Sequence, residues 1–187
     1  MTEYQNDSEL YNNYLTGDAG AYDQLMIRHG DSLTFYLYGY LHDWHAAEDM
    51  MIEAFARLMV KRPKIGEGCF KAYLFKTGRN LAYRYHTRKS RITEFSFDDY
   101  YEDTEGREMV EEMVMDGERL QVLRACLDRI DPQLREALWL VYSEGLTYAE
   151  AGAVMGVNAK RVDHLLSRGK KQMREELKKE GVLGAYA

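Results

Sequence analysis

Apolar and aromatic residues recur at intervals of three and four over the first half of the chain, the spacing of amphipathic helices that pack on a core. The pattern predicts two helices within residues 8–41, separated at Gly17-Asp18, because these residue types favour helix ends. It predicts a third helix over residues 43–60, capped by Asp43, and a fourth over about residues 70–88. Four helices of this kind are enough for one small helical domain.

The second half of the chain carries more specific helix-boundary signals. Asp131-Pro132 places a capping residue before a proline at the first helical position. After that helix, which should end near Gly145, the run Thr147 to Glu150 forms a capping box. Gly156 can take the left-handed conformation that ends a helix, and Asn158 can cap the next one. Helix, glycine turn and helix at this spacing predict a helix-turn-helix unit.

Within this unit, apolar and basic positions separate onto different sides of the second helix. Val162, Leu166 and Gly169 are predicted to face inward, and Gly152 is small enough to let the two helices cross closely. The remaining polar side chains then face outward, where a recognition helix meets the major groove of DNA. They are Lys160, Arg161, His164, Ser167, Arg168 and Lys171.

The net charge of −6 comes almost entirely from one segment of the chain. Residues 94–118 contain 11 acidic residues and 1 basic residue, with little helical periodicity before Arg107. Like charges at this density repel one another in a compact state, so the segment is predicted to be a solvated linker. The predicted fold is therefore all-α, with small helical domains at residues 1–93 and 118–187 joined by an acidic linker at 94–117.

A strongly basic segment lies in the first half. Ten basic residues and one acidic residue occur between Lys61 and Arg91, interleaved with five aromatic residues. Cations that hold phosphates beside rings that stack on bases are the combination that single-stranded nucleic acid requires. The alternative is that the aromatic residues belong to the core and the cations form a solvated face. Composition alone favours neither interpretation. The aromatic residues are Phe70, Tyr73, Phe75, Tyr83 and Tyr85.

Other function classes find little support in the sequence. Cys69 and Cys126 lie far apart and form no metal-binding motif, so neither a disulfide framework nor a cofactor is expected. Phosphate-binding loops, nucleophile elbows and zinc-protease motifs are absent, so no enzyme is predicted. The polar start MTEYQNDSEL and the lack of a long apolar run predict neither secretion nor membrane insertion, and a cytoplasmic location is expected.

Two blocks of the chain resemble one bacterial protein family. HAAEDMMIEAFARL and FKAYLFKTGRNLAYRYHTRK resemble region 2 of extracytoplasmic-function (ECF) sigma factors. IDPQLREALWLVYSEGLTYAEAGAVMGVNAKRVDHLLSRGKKQM resembles their region 4. The resemblance implies a dissociable subunit of RNA polymerase that directs promoter recognition, melting and transcription initiation. The implied partners are core RNA polymerase and promoter DNA, and whether an anti-sigma factor binds is left open. The alternative is a stand-alone helix-turn-helix regulator, which would bind duplex DNA unaided.

The resemblance also implies roles for particular residues. The loop at residues 61–68 matches the segment that receives an extruded base. The residues implied to face core polymerase are Glu48, Asp49, Glu53 and Phe55, of which Phe55 also lies on the apolar stripe of the third helix. The residues predicted to bind DNA, from the resemblance together with the charge pattern, are Lys64, Lys71, Tyr73, Lys76, Arg79, Asn80, Arg84 and Arg88 in the first half, and Lys160, Arg161, His164, Arg168 and Lys171 in the second.

The sequence departs from the family pattern at several of these positions. Ile52 stands where glutamine is usual, Tyr73 where tryptophan is frequent, and Arg84 where aspartate is common. In the recognition helix, Asp163 and Leu165 occupy positions where cations are usual. Asp163 has two interpretations: its carboxylate accepts a hydrogen bond from a cytosine amino group, or it repels a phosphate.

Overall fold

The computed structural model of the chain describes residues 6–88 and 117–181. Every regular element within these residues is a helix, so the predicted all-α fold is confirmed. The described residues form two compact units, one built on residues before 42 and from 45 to 88, the other on residues 117–181. Residues 94–116 of the predicted linker lie outside the part of the chain that the structure describes.

The first unit contains four helices, and their boundaries agree with the apolar pattern. They are α1 (Asp7–Leu15), α2 (Ala19–Leu41), α3 (Trp44–Lys61) and α4 (Phe70–Arg88). The predicted break between α1 and α2 contains Gly17, whose φ of 116° is a conformation that glycine adopts without strain.

Three hydrogen bonds join α1 to the end of α3 and to the loop at residues 62–69. The Tyr14 hydroxyl donates to the carbonyl oxygen of Met59 at 3.0 Å, and the Tyr11 hydroxyl donates to that of Pro63 at 2.9 Å. The backbone N–H of Gly68 donates to Ser8 Oγ at 2.8 Å. The predicted base-receiving loop is therefore attached at both of its ends.

A partly buried charge cluster connects the start of α1 to α2. Asp7 accepts hydrogen bonds from Arg28 Nη1 at 2.6 Å and lies 2.8 Å from Nε2 of the buried His29. Partial burial of Asp7 opposes its ionisation, but the hydrogen bonds and charges of His29 and Arg28 outweigh that effect. The pKa of Asp7 is therefore lowered below its ordinary value of 3.8.

The second unit begins with α5 (Gly117–Asp128) and α6 (Pro132–Leu138). Asp131 caps α6 as predicted, and its carboxylate accepts from the N–H of Gln133 at 2.9 Å. The helix predicted to continue to about Gly145 changes at Trp139–Ser143 into a π-helical turn. Apolar residues that recur every three to four positions do not distinguish an α-helix from a π-helix over so short a stretch.

Two further helices, α7 (Tyr148–Met155) and α8 (Ala159–Lys179), complete the helix-turn-helix unit. The Thr147–Glu150 capping box is present, Gly156 ends α7 with a φ of 75°, and Asn158 caps α8. Gly152 lies against the backbone of the turn, where an added Cβ atom would be 2.6 Å from the carbonyl oxygen of Val157. The predicted need for a small residue is confirmed, and the close neighbour is the turn that precedes α8.

No helix within residues 6–88 and 117–181 has both the length and the apolar character needed to cross a bilayer.

Replacing Gly152 with alanine should lower the free energy of unfolding by about 1 to 3 kcal/mol, because the new Cβ overlaps a backbone oxygen. Gly30→Ala is the control: its Cβ would meet only the flexible Met51 side chain at 3.8 Å, and alanine favours a helix interior by about 1 kcal/mol. Urea unfolding followed by circular dichroism measures both. Equal stability of Gly152→Ala and the wild-type chain would contradict the contact.

Asp7→Asn should lower the free energy of unfolding by roughly 1 to 2 kcal/mol at pH 7, where the native carboxylate is ionised. Because the folded pKa is depressed, this contribution is present above the unfolded pKa and is lost as pH falls through the folded pKa. The difference between the two proteins should therefore shrink below about pH 4. Urea unfolding across pH 3 to 7 measures it, with the exposed Asp23→Asn as control. A difference that does not vary with pH would exclude the ionic origin.

Candidate nucleic-acid and polymerase interfaces

One side of α4 exposes cations, an amide and two aromatic rings. Leu74, Gly78 and Leu81 are buried on the opposite side. Helical geometry places the outward residues within about 140° of one another, with Arg79 and Arg84 at the two edges. The α4 face consists of Tyr73, Lys76, Arg79, Asn80, Tyr83 and Arg84, of which only Arg79 is partly buried.

The aromatic residues of the basic segment divide between the core and this face. Phe70 and Phe75 are 1% and 0% exposed, whereas Tyr73 and Tyr83 are 38% and 39% exposed. The core interpretation is therefore correct for Phe70 and Phe75, and the nucleic-acid interpretation stays a prediction for the exposed Tyr73 and Tyr83. Tyr83, which the sequence analysis did not include among the DNA-binding residues, joins the α4 face; its seven-residue separation from Lys76 was the available signal.

Arg79 is held by two tyrosines from different helices. Its Nε donates to the hydroxyl of Tyr40 in α2 at 3.1 Å, and its Nη2 donates to the hydroxyl of Tyr83 at 3.2 Å. The guanidinium carbon also lies over the Tyr83 ring, 4.7 Å from its centroid. Such stacking is favourable because the ring face attracts a cation. The guanidinium thus has a defined position on the surface.

The structure does not bring every predicted cation to the α4 face. Lys71 is partly buried, lies about 140° around the helix from Lys76, and places its ammonium 5.6 Å from the Phe75 ring centroid. Lys71 therefore lies outside the α4 face, and its DNA-binding role stays a prediction. Lys64 is exposed in the loop before α4. Arg88 is the last residue of α4, and its side chain is outside the described part of the chain.

The predicted polymerase-facing residues of α3 also differ in their exposure to solvent. Asp49 is exposed, and the side chains of Glu48 and Glu53 are each 45% exposed. Phe55 is 1% exposed and packs edge-on against Tyr22, with ring centroids 5.8 Å apart. The expectation of a surface contact for Phe55 was wrong, because its position on the apolar stripe directs it into the core.

An exposed apolar stripe that the sequence analysis missed lies among these acidic residues. Its members follow the spacing i, i+4, i+7 and i+8 on the side of α3 opposite the buried Ala54 and Leu58. The α3 stripe consists of Ile52, Ala56, Met59 and Val60. The departure from the family pattern at Ile52 thus adds to an apolar surface.

The exposure pattern of α8 identifies the centre and the edges of its outward side. Its buried positions are Val162, Leu165, Leu166 and Gly169. Directly opposite them are Lys160, His164, Ser167 and Lys171, all exposed and within about 60° of one another. Arg161 and Arg168 form one edge of this α8 face, and Asp163 lies on the other edge, about 160° from Arg161.

Leu165 does not take part in this outward surface. It is 2% exposed, so at this position, where the family usually has a cation, the chain presents no side chain to DNA. Gly169 reinforces the inward side, because an added Cβ would lie 3.1 Å from the Leu138 side chain of α6. The part of α8 that contacts the core is therefore wider than the sequence analysis assumed.

Comparisons with known proteins agree with these two units. The family model described as Sigma-70 region 2 matches residues 25–92, and the one described as Sigma-70, region 4 matches residues 120–173. The chain is 31% identical over 168 residues to the ECF RNA polymerase sigma factor SigE of Mycolicibacterium smegmatis, covering 88% of this chain and 65% of that protein. It is 28% identical to the ECF RNA polymerase sigma factor BldN of Streptomyces coelicolor over 156 residues, covering 80% of this chain and 58% of that protein. The chain thus spans less than two thirds of the length of both relatives.

A solved structure shares the fold. It is the sigma factor RpoE in complex with the anti-sigma factor NepR from Bartonella quintana, with a TM-score of 0.60, 21% identity, and coverage of 84% of this chain and 96% of that one. The two matched regions occur in the order that the sequence blocks predicted, and together they span about two thirds of the chain. The chain belongs to the sigma-70 family and, within it, to the extracytoplasmic-function sigma factors.

Proposed function

We propose that this chain binds core RNA polymerase, directs it to promoters, and takes part in DNA melting at the start of transcription. The observation that carries the proposal is the α4 face, where cations and two exposed tyrosines share one side of a helix that lies within the region 2 match. The role is one of binding and not of catalysis. Since its proposed partner is the transcription machinery, we place the chain in the bacterial cytoplasm, divided into the domains 1–93 and 118–187 and the linker 94–117.

The α4 face supports contact with melted DNA at the minus-ten element. Lys76, Arg79 and Arg84 supply charge for backbone phosphates, and Tyr73 and Tyr83 supply rings on which bases stack. Extruding a base costs a few kcal/mol, and stacking on an aromatic side chain returns about 1 to 3 kcal/mol per base. A surface with both groups therefore favours the melted strand over the duplex.

The α8 face supports contact with duplex DNA at the minus-thirty-five element. A major groove about 12 Å wide admits one helix, so the side chains opposite the core reach the base edges. Lys160 and His164 are central and point toward the floor of the groove, whereas Arg161 and Arg168, at the edge of the α8 face, reach the phosphates of the DNA backbone. Asp163 is on the opposite edge, a position that favours neither of its two interpretations over the other.

The outward side of α3 supports contact with core polymerase. Glu48 and Asp49 precede the α3 stripe and Glu53 lies beside its start, and an apolar surface with charged neighbours is typical of protein interfaces. An anti-sigma factor is a further proposed partner, since the structurally similar RpoE is seen with one.

The proposed function is tested by co-purification with core polymerase, followed by transcription from a promoter library. We expect the chain to enrich with core enzyme and to start transcription at a subset of promoters that core enzyme alone does not use. Tight, sequence-specific binding of a dimer to duplex DNA without polymerase would instead identify a stand-alone regulator.

The Arg79→Ala/Arg84→Ala double variant should slow open-complex formation by about tenfold, since the loss of charged contacts worth roughly 1 to 2 kcal/mol raises the barrier by a similar amount. Assembly with core polymerase should not change, because neither residue lies on α3. Permanganate footprinting measures melting. Lys178→Ala/Lys179→Ala, which removes two cations from the last turn of α8, is the charge-matched control. Normal melting by the Arg79/Arg84 variant would contradict the proposed role of the α4 face.

Lys160→Ala and Arg161→Ala remove the same charge from neighbouring positions that point about 100° apart. Lys160→Ala should cost about 1 to 3 kcal/mol at one base position and relax selection there. Arg161→Ala should weaken binding to all promoters equally and lower the salt-dependence slope by about one. Holoenzyme binding to a promoter library at several salt concentrations separates the two results. Uniform weakening by Lys160→Ala would show that the centre of α8 does not read bases.

A further inference from the structure

We propose that Tyr40 is a positioning residue for promoter melting, and that its hydroxyl holds the Arg79 guanidinium against the exposed Tyr83 ring so that Arg79 meets the DNA in a fixed orientation. This inference rests on the proposed function of the α4 face. Tyr40 lies in α2, 1% exposed, and is too deeply buried to touch DNA itself. Its contribution is therefore made through Arg79.

The contact joins three groups with different surroundings. The Tyr40 hydroxyl is a buried hydrogen-bond acceptor for Arg79 Nε at 3.1 Å, and the exposed Tyr83 hydroxyl accepts from Nη2 at 3.2 Å. The two rings are tilted against each other with centroids 5.5 Å apart, and the guanidinium carbon lies 4.7 Å from the Tyr83 centroid. The arginine is thus held at two different nitrogen atoms and also over a ring.

Attachment at two nitrogens determines the plane of the guanidinium as well as its position. A free arginine side chain has many rotamers, and ordering them on binding reduces affinity. An arginine that is already oriented in the free protein avoids much of that cost. The planar group also presents its donors in one direction, which matters for a phosphate that accepts two hydrogen bonds side by side.

The surroundings of Tyr40 make the anchor rigid. Its ring meets Tyr36 edge-on, with centroids 5.5 Å apart and an interplanar angle of 84°. One turn of α4 before Arg79, Phe75 packs on the same Tyr36, with ring centroids 5.2 Å apart. The hydroxyl that receives Arg79 therefore belongs to a packed aromatic cluster between α2 and α4.

Tyr40→Phe tests the proposal, because it removes the hydroxyl and keeps the ring. We expect open-complex formation to slow by about threefold to tenfold, the effect of one lost hydrogen bond, with polymerase assembly unchanged. Tyr83→Phe, on the surface, should slow melting in the same direction. In an Arg79→Ala background, Tyr40→Phe should have no further effect, because the group it positions is absent.

Tyr22→Phe is the matched control. It also removes one buried tyrosine hydroxyl of the first unit, which donates to the backbone carbonyl of Phe55, and it does not contact Arg79. Melting temperatures of both variants separate a loss of folding from a loss of positioning. Promoter melting by Tyr22→Phe should match that of the wild-type chain at a temperature where both are folded.

A second measurement does not depend on polymerase. In the free chain, NMR hydrogen exchange at the Nε–H of Arg79 should be slow and should accelerate at least severalfold in Tyr40→Phe. Unchanged exchange, or slower melting by Tyr40→Phe that persists in the Arg79→Ala background, would overturn the positioning role. Slow Nε–H exchange in a chain that never directs polymerase would reject the proposed function while leaving the Tyr40–Arg79 contact in place.

Discussion

The close packing of α4 on α2 determines which side chains of the first unit reach solvent. At Gly78 an added Cβ atom would lie 3.0 Å from a methyl carbon of Leu33 and 3.3 Å from one of Leu37, so a larger residue would require these side chains to shift. This contact sets the rotation of α4 about its axis. Once that rotation is set, Leu74 and Leu81 must be buried, and the residues opposite them form the α4 face.

The rotation of α4 about its axis also explains why similar residues in the basic segment have different environments. Phe75 and Tyr83 are both aromatic and both belong to α4, yet Phe75 is fully buried and Tyr83 is 39% exposed. Lys71 follows the core side of the helix, whereas Lys76 faces solvent. Composition treats these pairs as equivalent. Each residue has its own angular position around a helix of 3.6 residues per turn. This position predicts whether the side chain is buried only when the side of the helix that meets the core is known.

The second unit depends less on such long-range packing. The caps at Thr147, Gly156 and Asn158 act within a few residues of themselves, and each is recognisable from its residue type and position. The interior of this unit is less predictable. The buried Arg135 donates to the carbonyl oxygens of Leu127, Asp128 and Ile130, which lie at the end of α5 and just after it. No local sequence pattern indicates that an arginine would take this role.

The sequence by itself determined the four helices of the first unit, those from Pro132 onward and their order, the turn of the helix-turn-helix unit and the two blocks that identify the family. It did not predict α5, which begins inside the predicted linker. Hydrophobic periodicity and helix capping are local properties, and both are visible in the amino-acid sequence. The tertiary structure decided the direction of each side chain: Phe55 and Leu165 in the core, the α3 stripe at the surface, and Arg79 held by Tyr40 from another helix. The residues of that last contact are 39 positions apart. The physical reason is that an exposed face is what remains after a helix packs, and packing depends on partners that are distant in the sequence.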